Sequence, residues 1–139
     1  MIFLSRKEEI KFNTGVLSEE ELKFVLDTLP VDITFIDRDD KVRFFNRFED
    51  RIFKRPISVI GRRVQDCHPK KSLDKVEQIL KDFKDKKRKV TEFWINLEEK
   101  LIYIRYFPVY TEGGKYLGCL EVSQDITNIK KIKGEKRLL

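Results

Sequence analysis

Sulfur, imidazole and chain-breaking residues are all scarce in this sequence: two cysteines, one histidine, one methionine, six glycines and four prolines among 139 residues. Two thiols, Cys67 and Cys119, are too few for a disulfide framework and do not have the paired spacing of a zinc motif. No Ser-His-Asp set, phosphate-cradling glycine loop or opposed carboxylate pair stands out, so a catalytic role finds no support and a non-enzymatic one is expected. Apolar runs are strand-sized and broken by charge, which predicts no membrane span. No charged-then-apolar leader opens the chain, and the cytoplasm is the expected compartment.

What the chain does contain is apolar bulk and interleaved charge. Hydrophobic residues make up 40%, eleven of them Phe, which is the composition of a folded single domain. Thirty Lys and Arg against twenty-four Asp and Glu leave +6, enough for solubility and an acidic partner but no sign of nucleic-acid binding.

Residues 1–17 carry Ile2, Phe3, Leu4, Ile10 and Phe12 without a period and read as an N-terminal arm. Ser18-Glu19-Glu20-Glu21 is a capping box, and Leu22, Val25, Leu26 and Leu29 form one apolar stripe before Pro30, so a short helix is expected there. From residue 32 the period becomes that of strands, with Asp37 opening a tight turn between two of them. Phe48, Ile52 and Phe53 predict small helices before Pro56, and Gly61 a turn with positive φ. Leu73, Val76, Ile79, Leu80 and Phe83 predict the longest helix. Three strands follow over 90–97, 101–110 and 116–126, the last two joined through Gly113-Gly114. In the final strand Leu120 and Val122 alternate as a core-facing set, and Asp125 and Thr127 supply capping oxygens at its end.

This order, with "DITFIDRDDKVRFFN" at 32–46, "VIGRRV" at 59–64 and "YLGCLEVSQDITNIKK" at 116–131, resembles a PAS domain. "LPVDITFID", "IGRRVQDCHPKKS", "EFWI", "YIRYF" and "GEKRLL" are similar, more narrowly, to the C-terminal PAS module of a hemerythrin-linked bacterial and archaeal family of unknown function. The resemblance implies an α+β fold: a five-stranded antiparallel sheet flanked by helices, with an N-terminal capping helix. The expected division is an arm over 1–17, the PAS domain over 18–128 and a short basic tail over 129–139, as a stand-alone version of the module. It further implies a sensory, ligand-binding module for signal transduction, a homodimer that takes a small molecule or cofactor between sheet and long helix and answers to a separate output protein. The alternatives are a dimerisation scaffold with no ligand, or a haem-based redox or gas sensor.

The pocket is expected to be lined by Phe35, Phe44, Ile79, Ile104 and Leu120 or their neighbours. His68, Trp94, Arg105, Tyr106 and Gln124 are the candidate ligand contacts. His68 also serves as the candidate haem or metal ligand, set against a plain capping role, and Arg105 as a carboxylate clamp, set against a solvent-facing side chain. Ser18, Asp37, Gly61, Asp125 and Thr127 are read as structural. Light-sensing flavin relatives carry a reactive cysteine at this turn where Val64 stands, so flavin adduct chemistry is not expected. The basic tail reads as a solvated end.

Overall fold

A computed structural model describes residues 8–139. The chain divides into two compact units, with the boundary in sequence between Pro30 and Val31. In the first, β1 (Glu9–Phe12) and β2 (Gly15–Ser18) pair as an antiparallel hairpin that runs directly into helix α1 (Glu19–Thr28). The hairpin replaces the aperiodic arm expected over 8–17; residues 1–7 lie outside the described residues. Its residues are mostly exposed, so pairing rather than burial defines it, and the alternation of Ile10 and Phe12 with Glu9 and Lys11 is too short to announce it. The capping box at Ser18 forms as expected: Glu21 N–H donates to Ser18 Oγ at 3.0 Å, and Ser18 N–H to Glu21 Oε1 at 2.9 Å.

The second unit is a five-stranded antiparallel sheet. Its strands are β3 (Asp32–Asp37), β4 (Val42–Phe45), β5 (Thr91–Leu97), β6 (Lys100–Tyr110) and β7 (Tyr116–Asp125), in spatial order β4-β3-β7-β6-β5. Between β4 and β5 the chain makes two short 3₁₀ turns, Ile57–Val59 and Val64–Cys67, and then helix α2 (Lys70–Lys84). Gly61 adopts φ +87, as the sequence suggests, and Pro69 stands as the N-cap immediately before α2. Asp37 organises the β3–β4 turn, accepting from the N–H groups of Asp39 and Lys41 at 2.9 and 3.0 Å. At the far end Asp125 accepts from the Thr127 N–H at 3.0 Å, and Thr127 Oγ1 accepts from the Leu101 N–H at 2.9 Å, which ties the end of β7 to the start of β6.

The small helices expected over 47–56 do not form. Polar side chains hold this segment's backbone instead: Ile52 N–H donates to Asp32 Oδ2 at 2.6 Å, and the Phe53 carbonyl accepts from Arg51 Nε at 3.0 Å. Backbone groups satisfied this way have no need of helical partners.

One face of the sheet carries Ile36, Val42 and Cys119, which pack with Val59, Val64, Ile79, Leu80 and Phe83 into the core under α2. The register puts Ile36 opposite Cys119, and Thr34 and Tyr106 opposite Glu121, so Cys119, Glu121 and Ser123 point inward. Phe35, Leu120 and Phe107 align in one row on the other face, with Phe44 across from Phe35. The expectation that Phe35, Phe44 and Leu120 line the interior is therefore corrected, whereas Ile79 and Ile104 do belong to the inner side. Apolarity alone chose the wrong face because the Arg55 guanidinium makes Glu121 tolerable on the inner face of β7.

Candidate functional site

The inner face of the sheet and α2 enclose a void lined by Ile36, Val64, His68, Val76, Ile79, Leu80, Tyr106, Cys119 and Glu121. Its volume of about 20 Å³ admits roughly one water-sized group. Strands β3, β6 and β7 form the floor, and the β3–β7 and β6–β7 pairs around Ile36, Tyr106, Cys119 and Glu121 lie in unbroken register, the shift in the β6–β7 ladder falling beyond them at Val109 and Tyr110. The roof is uneven. All the buried residues of α2 (Ile79, Leu80, Asp82 and Phe83) lie in its C-terminal half, which is further tied by the Tyr110 hydroxyl to the Phe83 carbonyl and by Lys84 Nζ to Asp40 Oδ1 at 2.8 Å. Nothing in residues 70–76 is buried, so the end of α2 next to His68 is the more weakly held.

Among these mainly apolar walls the one charged group is Glu121, 7% exposed. Its Oε2 accepts from Arg55 Nη2 at 3.1 Å. A carboxylate in this position requires a partner, because an isolated buried charge is far costlier than a paired one. Arg55 comes from the 47–56 segment, held in turn by Arg51, and its own Nε has no hydrogen-bond partner among the described residues.

Two acids beside Glu121 keep their protons. Burial, reinforced by the Glu121 charge, raises the pKa of the Tyr106 phenol well above its ordinary range. Burial first, then Glu121 and Asp40, pushes the Cys119 thiol up to about 12. Since only the thiolate is nucleophilic, Cys119 is inert in the folded state while half-exposed Cys67 is not. A thiol-reactive chromophore at pH 8 is expected to label Cys67 promptly and Cys119 far more slowly, at the rate at which α2 opens; equally fast labelling of both would contradict the closed void. The folded state holds this proton where the unfolded chain releases it, so the Cys119 contribution to stability falls as pH rises from about 9 to about 12.

Of the sequence candidates, His68 and Tyr106 meet at the void. His68 Nδ1 lies 2.9 Å from the Val64 carbonyl, which can only accept and so assigns a proton to Nδ1. This is the backbone-bonded role weighed at the outset, with the ring also serving as wall. Trp94, Arg105 and Gln124 fall elsewhere. Trp94 and Gln124 flank Tyr103 in register, and Arg105 lies over the Tyr103 and Phe107 rings at 4.7 and 5.6 Å, all on the face away from α2. Arg105 is thus no clamp for a ligand in this void. A haem macrocycle does not fit a void of this volume, and among the described residues no cluster of three His, Cys, Asp or Glu could hold a metal ion. Glu121, Cys119 and Arg55 were missed as a site. The available signal was an acidic residue at an alternate position of an otherwise apolar strand.

No helix among the described residues is long and apolar enough to cross a membrane. Residues 22–127 match the family model described as PAS domain. Comparison with curated proteins gives no match. Among solved structures, the chain is similar to a C-terminal domain from Streptococcus mutans, with 33% identity over 92% of this chain and 99% of that one, at a TM-score of 0.86. It also shares its fold with the PAS domain of BvgS from Bordetella pertussis, at 17% identity, 78% and 85% coverage and a TM-score of 0.58. A sensory box sensor histidine kinase from Vibrio cholerae is similar at 16% identity, with 76% and 89% coverage and a TM-score of 0.55.

Proposed function

The chain belongs to the PAS domain family, and from that premise we propose that it is a sensory module whose input is a small molecule taken up between α2 and the inner face of the sheet. The observation that carries this reading is the void over Glu121: apolar walls around one paired, buried carboxylate, the make-up of a site that orients a small polar ligand. A ligand larger than water enters by lifting the weakly held N-terminal half of α2, with His68 at the moving edge. Such a displacement presses on Cys119 and Glu121, whose neighbours Leu120 and Val122 lie on the opposite face of the same strand. Output then passes from that face to a separate protein, with the module acting as a cytoplasmic homodimer in a hemerythrin-linked signalling architecture. Catalysis has no part in this reading.

Native mass spectrometry of gently purified protein tests it. A bound small molecule is expected, retained by the wild type and lost from Glu121→Gln. A bare polypeptide mass, together with no thermal shift across a metabolite panel, overturns it.

The small volume of the void favours a second reading, a signalling scaffold that meets its partners through the outer face and binds no ligand. Binding of an output protein that persists when Ile79→Trp fills the void would support the scaffold over the sensor.

A further inference from the structure

The two edges of the sheet are treated differently by the chain. At β4 the edge is covered: Val42 N–H donates to the Arg62 carbonyl at 3.0 Å, Gly61 N–H donates to the Val42 carbonyl at 2.7 Å, and Lys41 bridges to Arg63. The β3–β4 pairing also contains a register shift. A covered, bulged edge offers nothing to a further strand.

Strand β5 has none of these devices. It pairs with β6 in unbroken register over all seven residues, Thr91 opposite Tyr106 through Leu97 opposite Lys100. Among the described residues its backbone has no hydrogen-bonded neighbour on the far side. The strand contains no proline, lysine or arginine, and its single charge, Glu92, already accepts from the Tyr103 hydroxyl. Phe93, Trp94 and Ile95 are 37, 66 and 40% exposed in succession. Every second residue of an edge strand points its N–H and C=O outward, so β5 presents an apolar template for another strand.

We propose that the occupant of this edge is a second copy of the same strand, β5 pairing antiparallel with β5 about a two-fold axis through Trp94. This gives the homodimer of the preceding section its contact surface and rests on that reading. The register decides for self-pairing. Centred on Trp94, the midpoint of the strand, all seven residues pair: Trp94 meets Trp94, Phe93 meets Ile95, Glu92 meets Asn96 and Thr91 meets Leu97. Apolar residues face apolar residues on both sides of the sheet, and no like charges are opposed. Centring one residue later puts Glu92 against Glu98, which is unfavourable, and centring one residue earlier brings Lys89 and Val90 into the pairing in place of the strand's own end.

Sedimentation velocity and cross-linking test the proposal on the full chain. Wild type and Trp94→Phe are expected to associate, while Trp94→Lys, which sets two lysines across the axis at a position already exposed in one chain, weakens association by at least about tenfold with unchanged far-UV circular dichroism. In a Cys67→Ser background, Trp94→Cys is expected to form an intermolecular disulfide, since directly opposed Cα atoms stand about 4.5–5.5 Å apart. Glu92→Cys and Asn96→Cys are expected to cross-link only when mixed. Cross-linking of Glu92→Cys alone overturns the register. A dimer that survives Trp94→Lys but is lost in Phe44→Lys or Leu117→Lys, on the outer face, overturns the edge and leaves the homodimer standing. A monomer at every concentration overturns both.

Discussion

Gly118→Ala is expected to unfold this domain or leave it marginal. Gly118 lies in β7, the middle strand of the sheet, between Asp37 of β3 and Val109 of β6, at φ +154. A Cβ there would stand 2.1 Å from the Ile36 carbonyl oxygen and 2.9 Å from two carbons of the Phe35 ring. The ring could turn aside, but the carbonyl belongs to the backbone of β3 and cannot yield without parting the two strands. Overpacking ordinarily costs about 1–3 kcal/mol and more where backbone must move, so a loss of at least about 3 kcal/mol is expected. Against a typical domain stability of about 5–15 kcal/mol, that is a large fraction. Urea denaturation followed by far-UV circular dichroism measures it, and a midpoint equal to that of the wild type would refute the close approach of β3 and β7.

The second large effect is expected at Arg51, only 6% exposed although charged. Its guanidinium donates from Nε to the Phe53 carbonyl at 3.0 Å, from Nη1 to the Ile33 and Asn46 carbonyls at 3.1 and 2.8 Å, and from Nη2 to Thr34 Oγ1 at 3.1 Å. It also lies over the Phe45 ring at 5.2 Å. Burial lowers its pKa, the Asp32 carboxylate opposes that, and Arg55 adds to the lowering. Arg51→Leu fills the space but leaves these buried acceptors without their donor, and takes away a second positive charge near Asp32, whose ion pair with Arg47 at 3.8 Å remains. Removing one partner of such a network costs about 3–5 kcal/mol. Arg51→Lys is expected to recover less than half of that, since one ammonium cannot span the positions served by the planar fork. The measurement is again the denaturation midpoint. A Leu variant as stable as the wild type would mean that the 47–56 segment is held by something else. Because that segment carries Arg55 to Glu121, destabilising it is also expected to open the void.

The polar network shows why so much of the site was hidden in the linear sequence. Asn46 Oδ1 accepts from the Ile33 N–H at 2.7 Å and its Nδ2 donates to the Val31 carbonyl at 3.1 Å, while Arg51 reaches back to residues 33 and 34. These partners are a dozen or more positions apart, and no local period reports them. Phe48, Ile52 and Phe53 do carry a local period, and it misled: side chains elsewhere had already taken the backbone groups a helix would use. Glu121 was overlooked for the same reason, since the arginine that makes it tolerable comes from another segment. Trp94, Arg105 and Gln124 are large or polar strand residues, as a ligand site requires, but pleat parity puts them on the face away from α2.

By itself the sequence determined the order of the elements of the sheet unit, the capping box at Ser18, the turn at Asp37, the long helix and the three long strands, because caps, turns and periodicity act between residues a few positions apart. It determined the family through motifs built from those same local features. Only the tertiary structure decided which face of the sheet is inside, where Glu121 finds its cation, how little space remains beneath α2, and which edge of the sheet is left open. Each of those depends on strand register and on partners distant in the chain, and register is fixed only when all the strands are assembled together.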